Sequence, residues 1–405
     1  MERADLARLL GASPVSAAPR DVVVEERDPA RFIAVFAEAM AAGGTVFVAD
    51  PSWGQSERTQ FQEIIRRASS GGDQDRAGRG WLCLPTGGTS GAIKLARHDG
   101  ETLAAAVKGF CAHFGTDRVN AIGLLPLHHV SGFMAWIRTV FTGGDYRQAD
   151  WKAVERGERP ELAAGRDGFL SLVPTQLQRL LADPAAVAWL RGFRAVFIGG
   201  GPAWPELVEA GARERLPLAF SYGMTETAAM VCALRPEEFL AGGRGCGTML
   251  PHARVTLEAE GRIAVAGGSL FRGYWPEWRE TGPWLTEDLG CFDDRGGLRV
   301  LGRRDALIIT GGKKVDPAEV EAALRATGVF EDLAVIGLPD AEWGEIVVAC
   351  YPQANAAPDL TGLAARLGVQ LAAYKHPKRY LPVAPWPRNA QGKVNRAELR
   401  RLVAG

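Results

Sequence analysis

Ala195-Val196-Phe197-Ile198-Gly199-Gly200-Gly201-Pro202 reads as a short apolar strand that stops at three glycines. Leu218-Ala219-Phe220-Ser221-Tyr222-Gly223-Met224-Thr225-Glu226 reads as a second strand that ends in polar residues. Between them Pro205 can open a helix. Strand, helix and strand in that order predict parallel pairing with a covering helix. In such sheets ligands gather beyond the carboxyl ends of the strands, so both strand ends are candidate site segments. Tyr222 can stack on a base, Thr225 can donate to a phosphate, and Glu226 can hold Mg²⁺. Alternatively, Thr225 is the N-cap of a helix and Glu226 favours its dipole. Taken alone, the segment favours this second reading.

The same alternation extends towards the N-terminus. Val22–Val24 and Thr45–Val48 read as strands flanking an amphipathic helix over Arg31–Met40. Trp81–Leu84 reads as a buried strand running into Pro85-Thr86-Gly87-Gly88-Thr89-Ser90-Gly91-Ala92-Ile93-Lys94. Gly87, Gly88 and Gly91 would let backbone N–H groups approach an anion, Thr86, Thr89 and Ser90 add hydroxyls, and Lys94 adds charge. The spacing is not that of a Walker loop, and a flexible surface turn explains the segment about as well. A helix is predicted over 99–114, a strand over Ala121–Leu125 and a helix over Ser131–Val140. His128 and His129 fall between the last two. Adjacent side chains of an extended chain point opposite ways, so one is expected to line a pocket and the other to pack or meet solvent, with no metal between them.

Towards the C-terminus, residues 242–299 turn Gly-rich and β-branched, which predicts several short strands. Asp288, in Trp284-Leu285-Thr286-Glu287-Asp288-Leu289-Gly290, can accept from ribose hydroxyls or serve an ordinary turn. Gly302-Arg303-Arg304-Asp305 reads as a boundary. Beyond it follow a strand (Leu307–Thr310), a turn (Gly311-Gly312), a helix (Pro317–Ala326), two strands (Leu333–Gly337, Ile346–Tyr351) and helices over Leu360–Leu371 and Asn395–Val403. The expected fold class is α/β. Residues 1–302 form a large N-terminal domain of mixed and parallel sheets covered by helices, with a β-rich subdomain. Residues 306–405 form a small α+β C-terminal domain. In Pro387-Arg388-Asn389-Ala390-Gln391-Gly392-Lys393, Lys393 can project from a loop tip, and only eight of the 47 basic residues are lysines.

Composition excludes some functions. With 47 basic and 47 acidic residues the chain has no electrostatic case for nucleic-acid binding. Six cysteines without CxxC spacing speak against a zinc or disulfide framework and fit a reducing, cytoplasmic setting. No secretory leader opens the chain, and no apolar run reaches the ~18–20 residues a membrane span needs.

The order of motifs decides among the open readings: phosphate loop, His-bearing segment, triple-Gly turn, Tyr-Gly-x-Thr-Glu, Thr-x-Asp, Gly-Arg-x-Asp and Gly-Lys. That series, over roughly residues 81–400, resembles the adenylate-forming superfamily of acyl-CoA synthetases, adenylation domains and luciferases. The resemblance implies ATP, Mg²⁺ and coenzyme A as cofactors and a small-molecule carboxylate as substrate. It assigns the ATP phosphates to Thr86, Gly87, Gly88, Thr89, Ser90, Gly91 and Lys94. Gly200, Gly201 and Pro202 fall beside adenine and the acyl group, Tyr222 with Gly223 against adenine, Thr225 on phosphate and Glu226 on the metal. Asp288 takes the ribose, Arg303 the nucleotide, and Asp305 the hinge of a mobile C-terminal domain. His129 and Thr175 fall in the acyl pocket, Gly311 and Gly312 along a CoA channel, and Lys393 becomes the catalytic lysine. Two departures stand out: Ile93 replaces the usual Pro before the loop Lys, and Glu287 replaces a common Gly.

Within the superfamily, Leu84–Gly91 with its double Gly, Ser171-Leu172-Val173-Pro174-Thr175-Gln176-Leu177 and the short chain resemble the 2-succinylbenzoate–CoA ligases. That implies activation of an aromatic dicarboxylate, with His129, Thr175 or water as the anchor for its spare carboxylate. The rivals are another aryl- or acyl-CoA ligase, a stand-alone adenylation domain loading a carrier protein, and a non-catalytic sensor. No carrier segment follows Gly405, and an apolar face on the large domain would suit a homodimer.

Overall fold

The computed structural model describes residues 3–12, 18–66, 79–86, 93–162, 167–201, 203–353, 357–388 and 394–404. Their strands form four sheets. The first runs β1 (Arg20–Val24), β2 (Gly43–Val48), β3 (Leu82–Thr86), β4 (Lys94–His98), with the first three parallel and β4 antiparallel. The helix Pro29–Ala41 crosses from β1 to β2. It is capped by Asp28, whose carboxylate accepts from the Arg31 amide, and it buries Phe32, Phe36, Ala39 and Met40 on one face. Phe36 meets Trp136 of the helix Val130–Thr142 edge-on at 5.4 Å, which ties the first layer to the second.

The second sheet holds β5 (Asn120–Gly123), β6 (Tyr146–Gln148), β7 (Gly168–Leu172), β8 (Ala195–Ile198), β9 (Leu218–Met224), β10 (Ala229–Ala233) and β11 (Thr248–Met249) in the order β11-β10-β9-β8-β7-β5-β6. From β9 to β6 every pairing is parallel, with Ile198 opposite Phe220. Every residue of β5 and β8 is buried, the pattern of strands covered on both faces. The third sheet is an antiparallel meander of β12 (Ala253–Leu257), β13 (Arg262–Gly267), β14 (Trp284–Phe292) and β15 (Leu298–Arg303). The fourth combines β16 (Ile308–Thr310), β17 (Lys313–Val315), β18 (Ala334–Asp340), β19 (Gly344–Pro352) and β20 (Arg379–Val383). Its two apolar clusters draw only on residues from Ile308 onward. The fold is thus α/β, with mixed sheets in a large N-terminal part and a smaller C-terminal one.

The predicted strands and helices around the Gly turns are present, and the differences have local causes. β4, Lys94-Leu95-Ala96-Arg97-His98, carries too many polar residues to read as a buried strand. Its Arg97 is nevertheless only 6% exposed, because the guanidinium lies 3.7 Å over Trp278 and bonds the Pro276 carbonyl. The helix expected over Leu360–Leu371 spans only Leu363–Gly368, since Gly362 sits at φ +69°. No α-helix follows Thr225. Thr225–Thr227 is one 3₁₀ turn that feeds β10, so the N-cap alternative fails.

Asp99 links three elements. Its carboxylate caps the helix Gly100–Phe114 through the Glu101 and Thr102 amides, accepts from the Gly80 amide, and pairs with Arg272 at 2.7 Å. Burial opposes its ionisation, but Arg272 and these amides outweigh it and hold its pKa below the usual value. Asp99→Ala is expected to lower the unfolding free energy by about 3–5 kcal/mol, as for other broken buried pairs, measured by urea denaturation at neutral pH. Because the folded-state pKa is depressed, this stabilisation is present above the unfolded value of about 4 and is lost as pH falls below it.

Candidate functional site

Parallel neighbours β9, β8, β7 and β5 end on the same side of the second sheet. Each carries a sequence-predicted residue at or just beyond its carboxyl end: Tyr222–Glu226 on β9, Gly199–Gly201 after β8, Thr175 after β7 and His129 after β5. A Cβ on Gly199 would touch the Ser221 hydroxyl at 3.5 Å, so the glycine turn lies directly against the end of β9. Gly200 adopts φ +82°. Gly223 has a packing reason as well, since a Cβ there would meet the Ala229 carbonyl at 2.0 Å.

Two hydrogen-bonded groups flank this edge. In one, the Tyr274 hydroxyl donates to Glu226 Oε1 at 2.5 Å, and the Lys94 ammonium lies 5.0 Å from the Tyr274 ring centre. Burial and then Glu226 raise the Tyr274 pKa, so its proton stays on as a donor. The turn beneath Glu226 is fixed by His98. Its Nε2 donates to the Thr225 carbonyl at 2.7 Å, since a carbonyl only accepts, and its Nδ1 meets the Thr102 hydroxyl at 3.1 Å. Burial pushes His98 down to about 4, so it is neutral near pH 7. Ala228 and Ala229 follow at φ 50° and 78°, strained values for alanine that this anchored turn imposes.

In the other group, the Tyr222 hydroxyl donates to Asp288 Oδ2 at 2.7 Å. Arg303 donates to Asp288 Oδ1 at 3.3 Å and grips Asp305 through two bonds of 2.8 and 2.6 Å. Glu287, the residue that departs from the family pattern, pairs with Arg262 at 2.7 Å and Arg304 at 2.9 Å. The boundary Arg303–Asp305 is therefore tethered twice to β14.

The structure places the remaining predicted residues as follows. Thr86 and Lys94 face each other in the β3–β4 pairing. Gly87, Gly88, Thr89, Ser90 and Gly91, which connect them, lie outside the described residues, as do Pro202 and Lys393. Arg388 and Val394, on either side of the Lys393 segment, form an antiparallel bridge. Gly311 and Gly312, at φ +54° and +72°, make the two-residue turn of the β16–β17 hairpin, where Gly311 backs onto Trp343.

One prediction is corrected. His128 and His129 do not diverge. They occupy a turn rather than extended chain, their rings lie 4.4 Å apart, and both face Asp50: His128 Nε2 is 3.3 Å from Oδ1 and His129 Nε2 is 3.8 Å from Oδ2.

Sequence reading also missed Arg138. It is 3% exposed on the helix Val130–Thr142, 4.3 Å over the Phe110 ring, and among the described residues no acid pairs with it. Its Nε makes no hydrogen bond. It lines a small cavity with Phe110, Ala121, Ala135, Phe169 and Phe197. Phe197 is two residues before the Gly199 turn, about 7 Å of strand. Burial lowers the Arg138 pKa to about 10, which leaves it charged. A buried guanidinium without an anion is costly, and the cavity beside it, about 10 Å³, has room for little more than one water molecule.

Comparison with known proteins gives the family and the fold. The AMP-binding enzyme family model matches residues 81–275, and the model of the AMP-binding enzyme C-terminal domain matches residues 319–393. The chain is 35% identical over 345 residues to a probable 2-succinylbenzoate–CoA ligase of Mycobacterium tuberculosis, covering 80% of this chain and 85% of the relative. It is 35% identical over 299 residues to the 2-succinylbenzoate–CoA ligase of Geobacillus kaustophilus, covering 70% of this chain but 61% of that relative. Among solved structures, o-succinylbenzoate CoA synthetase from Bacillus subtilis with its acyl-adenylate intermediate superposes with a TM-score of 0.79 at 23% identity, over 98% of this chain and 91% of that one.

Proposed function

The chain belongs to the AMP-binding enzyme family, and from that premise we propose that it is an AMP-forming acid–thiol ligase converting 2-succinylbenzoate to its CoA thioester. The observation that carries this reading is the double cluster at the end of β9, in which Lys94, Tyr274 and Glu226 gather on one side and Tyr222, Asp288 and Arg303 on the other. The half-buried Glu226 carboxylate, oriented by Tyr274 beside a lysine, would hold a hard cation. Bound there, Mg²⁺ would shield phosphate charge; the Bacillus subtilis synthetase has been solved with ATP and a magnesium ion. Asp288 takes the ribose, held for it by Tyr222 and Arg303, and the open Gly199–Gly201 turn leaves room for the adenine and the acid.

In the first half-reaction a carboxylate oxygen of the acid attacks the α-phosphorus and the bond to pyrophosphate breaks. Lys94 and Lys393 offset the charge that builds on the phosphate oxygens. In the second, the thiolate of CoA attacks the acyl carbon and the bond to AMP breaks. Rotation about Asp305 exchanges the face of the C-terminal domain presented to the site, with Gly311 and Gly312 making way for the pantetheine arm. His129 and Thr175 line the acyl side. All six cysteines are unpaired, in keeping with a reducing cytoplasmic setting. Among the described residues no helix is long and apolar enough to cross a membrane.

The test is a panel of carboxylates incubated with ATP, Mg²⁺ and CoA, with pyrophosphate and thioester both measured. Thioester formed from 2-succinylbenzoate well above any other acid supports the proposal. Preferential turnover of simple benzoates or fatty acids overturns the substrate, and pyrophosphate release without any thioester overturns the acceptor.

A further inference from the structure

Asp50, His128 and His129 gather their donor atoms around one point and together have the makings of a second ion site. We propose that these three side chains bind a divalent cation of the zinc class, at a position separate from Glu226. The proposal does not depend on which acid the enzyme activates.

The geometry comes first. One donor atom from each residue lies within 4.8 Å of the others, the one such trio of His, Cys, Asp or Glu among the described residues. Metal–ligand bonds of about 2.0–2.1 Å in a tetrahedron place neighbouring donors about 3.3 Å apart. The His128–Asp50 separation is 3.3 Å and the His129–Asp50 separation 3.8 Å, so small side-chain movements would close the set. Three protein donors leave a fourth position for water or another oxygen ligand.

The unsatisfied chemistry comes second. His128 is 7% exposed, and its Nε2 makes no hydrogen bond although Asp50 Oδ1 is 3.3 Å away. A buried imidazole nitrogen without a partner is costly, and a cation would satisfy it. Two imidazoles and a carboxylate favour zinc, cobalt or nickel over the Mg²⁺ expected at the all-oxygen Glu226 position.

The support around the donors comes third. Asp50 Oδ1 accepts from the Ser52 amide at 2.8 Å and its hydroxyl at 2.6 Å, which fixes the carboxylate as outer-shell partners do at metal sites. The histidine turn is pinned by the His129 amide on the Pro126 carbonyl at 3.2 Å. Gly132 lets the helix start fold back onto that turn, since a Cβ there would stand 2.2 Å from the Pro126 carbonyl. Held through Nε2, His129 can still offer its ring face to the acid.

The experiment is a titration of the chelator-stripped full chain with Co²⁺ in excess Mg²⁺, followed by visible absorption and by Tm. One saturating equivalent is expected, with d–d bands, no thiolate charge-transfer band, displacement by Zn²⁺ and a rise in Tm. Asp50→Asn and His128→Gln should each weaken binding at least ten-fold, whereas Glu226→Gln should leave the bands in place. No saturable signal from the folded wild-type chain overturns the proposal, whatever the variants do. Bands that survive both ligand substitutions, that carry thiolate character, or that vanish in Glu226→Gln also overturn it.

Discussion

Lys393→Ala is expected to cut 2-succinylbenzoate-dependent pyrophosphate release by about a hundred- to a thousand-fold, the range seen when a donor to a developing oxyanion is removed. Attack of one anion on another concentrates negative charge on the α-phosphate, and an ammonium brought to those oxygens offsets it. The same substitution should leave ATP binding within a few-fold of normal. It should also spare thioester formation from acyl-adenylate supplied ready-made, because in the proposed mechanism that step uses another face of the C-terminal domain. Rapid-quench assays of the two half-reactions separate these outcomes. A variant that releases pyrophosphate at the normal rate removes Lys393 from the mechanism.

Glu226→Gln should cost about a hundred-fold or more in kcat/KM for ATP and raise the Mg²⁺ concentration at half-maximal rate. The amide keeps the shape and still accepts from the Tyr274 hydroxyl at the 2.5 Å contact, so the lost element is charge, the property a hard cation selects. Tyr274→Phe retains the carboxylate and loses only the hydrogen bond that orients it, so a milder defect of about ten-fold is expected. Equal defects in both variants, with no change in the Mg²⁺ dependence, would make Glu226 a structural residue of the 3₁₀ turn.

Much of this arrangement is legible in the chain before any coordinates. β8 and β9 are short apolar runs ending in glycine and polar residues, so period, boundary and site location all follow from one pattern. The 3₁₀ turn at Thr225 is not legible, because what holds it is His98, more than a hundred residues upstream, and the two alanines at positive φ give no sequence signal. β4 is hidden because Arg97 and His98 are polar by type and buried by partnership. The convergence of His128 and His129 on Asp50 needs a turn where spacing implies extended chain, and Asp50 itself has no local mark. Arg138 sits in a run that reads simply as an amphipathic helix. What singles it out is the absence of an acid beside it among the described residues, a property only the packed structure can reveal. The glycine loop and Lys393 are the reverse case, prominent in the sequence and outside the described residues.

The most direct test of whether the two clusters at the end of β9 serve one nucleotide is isotope exchange between pyrophosphate and ATP, run without CoA. Exchange that requires 2-succinylbenzoate and falls at least ten-fold when either Asp288 or Glu226 is replaced by its amide is the predicted result. Exchange that proceeds without the acid, or that survives both substitutions, would show that the clusters do not meet on a common ATP.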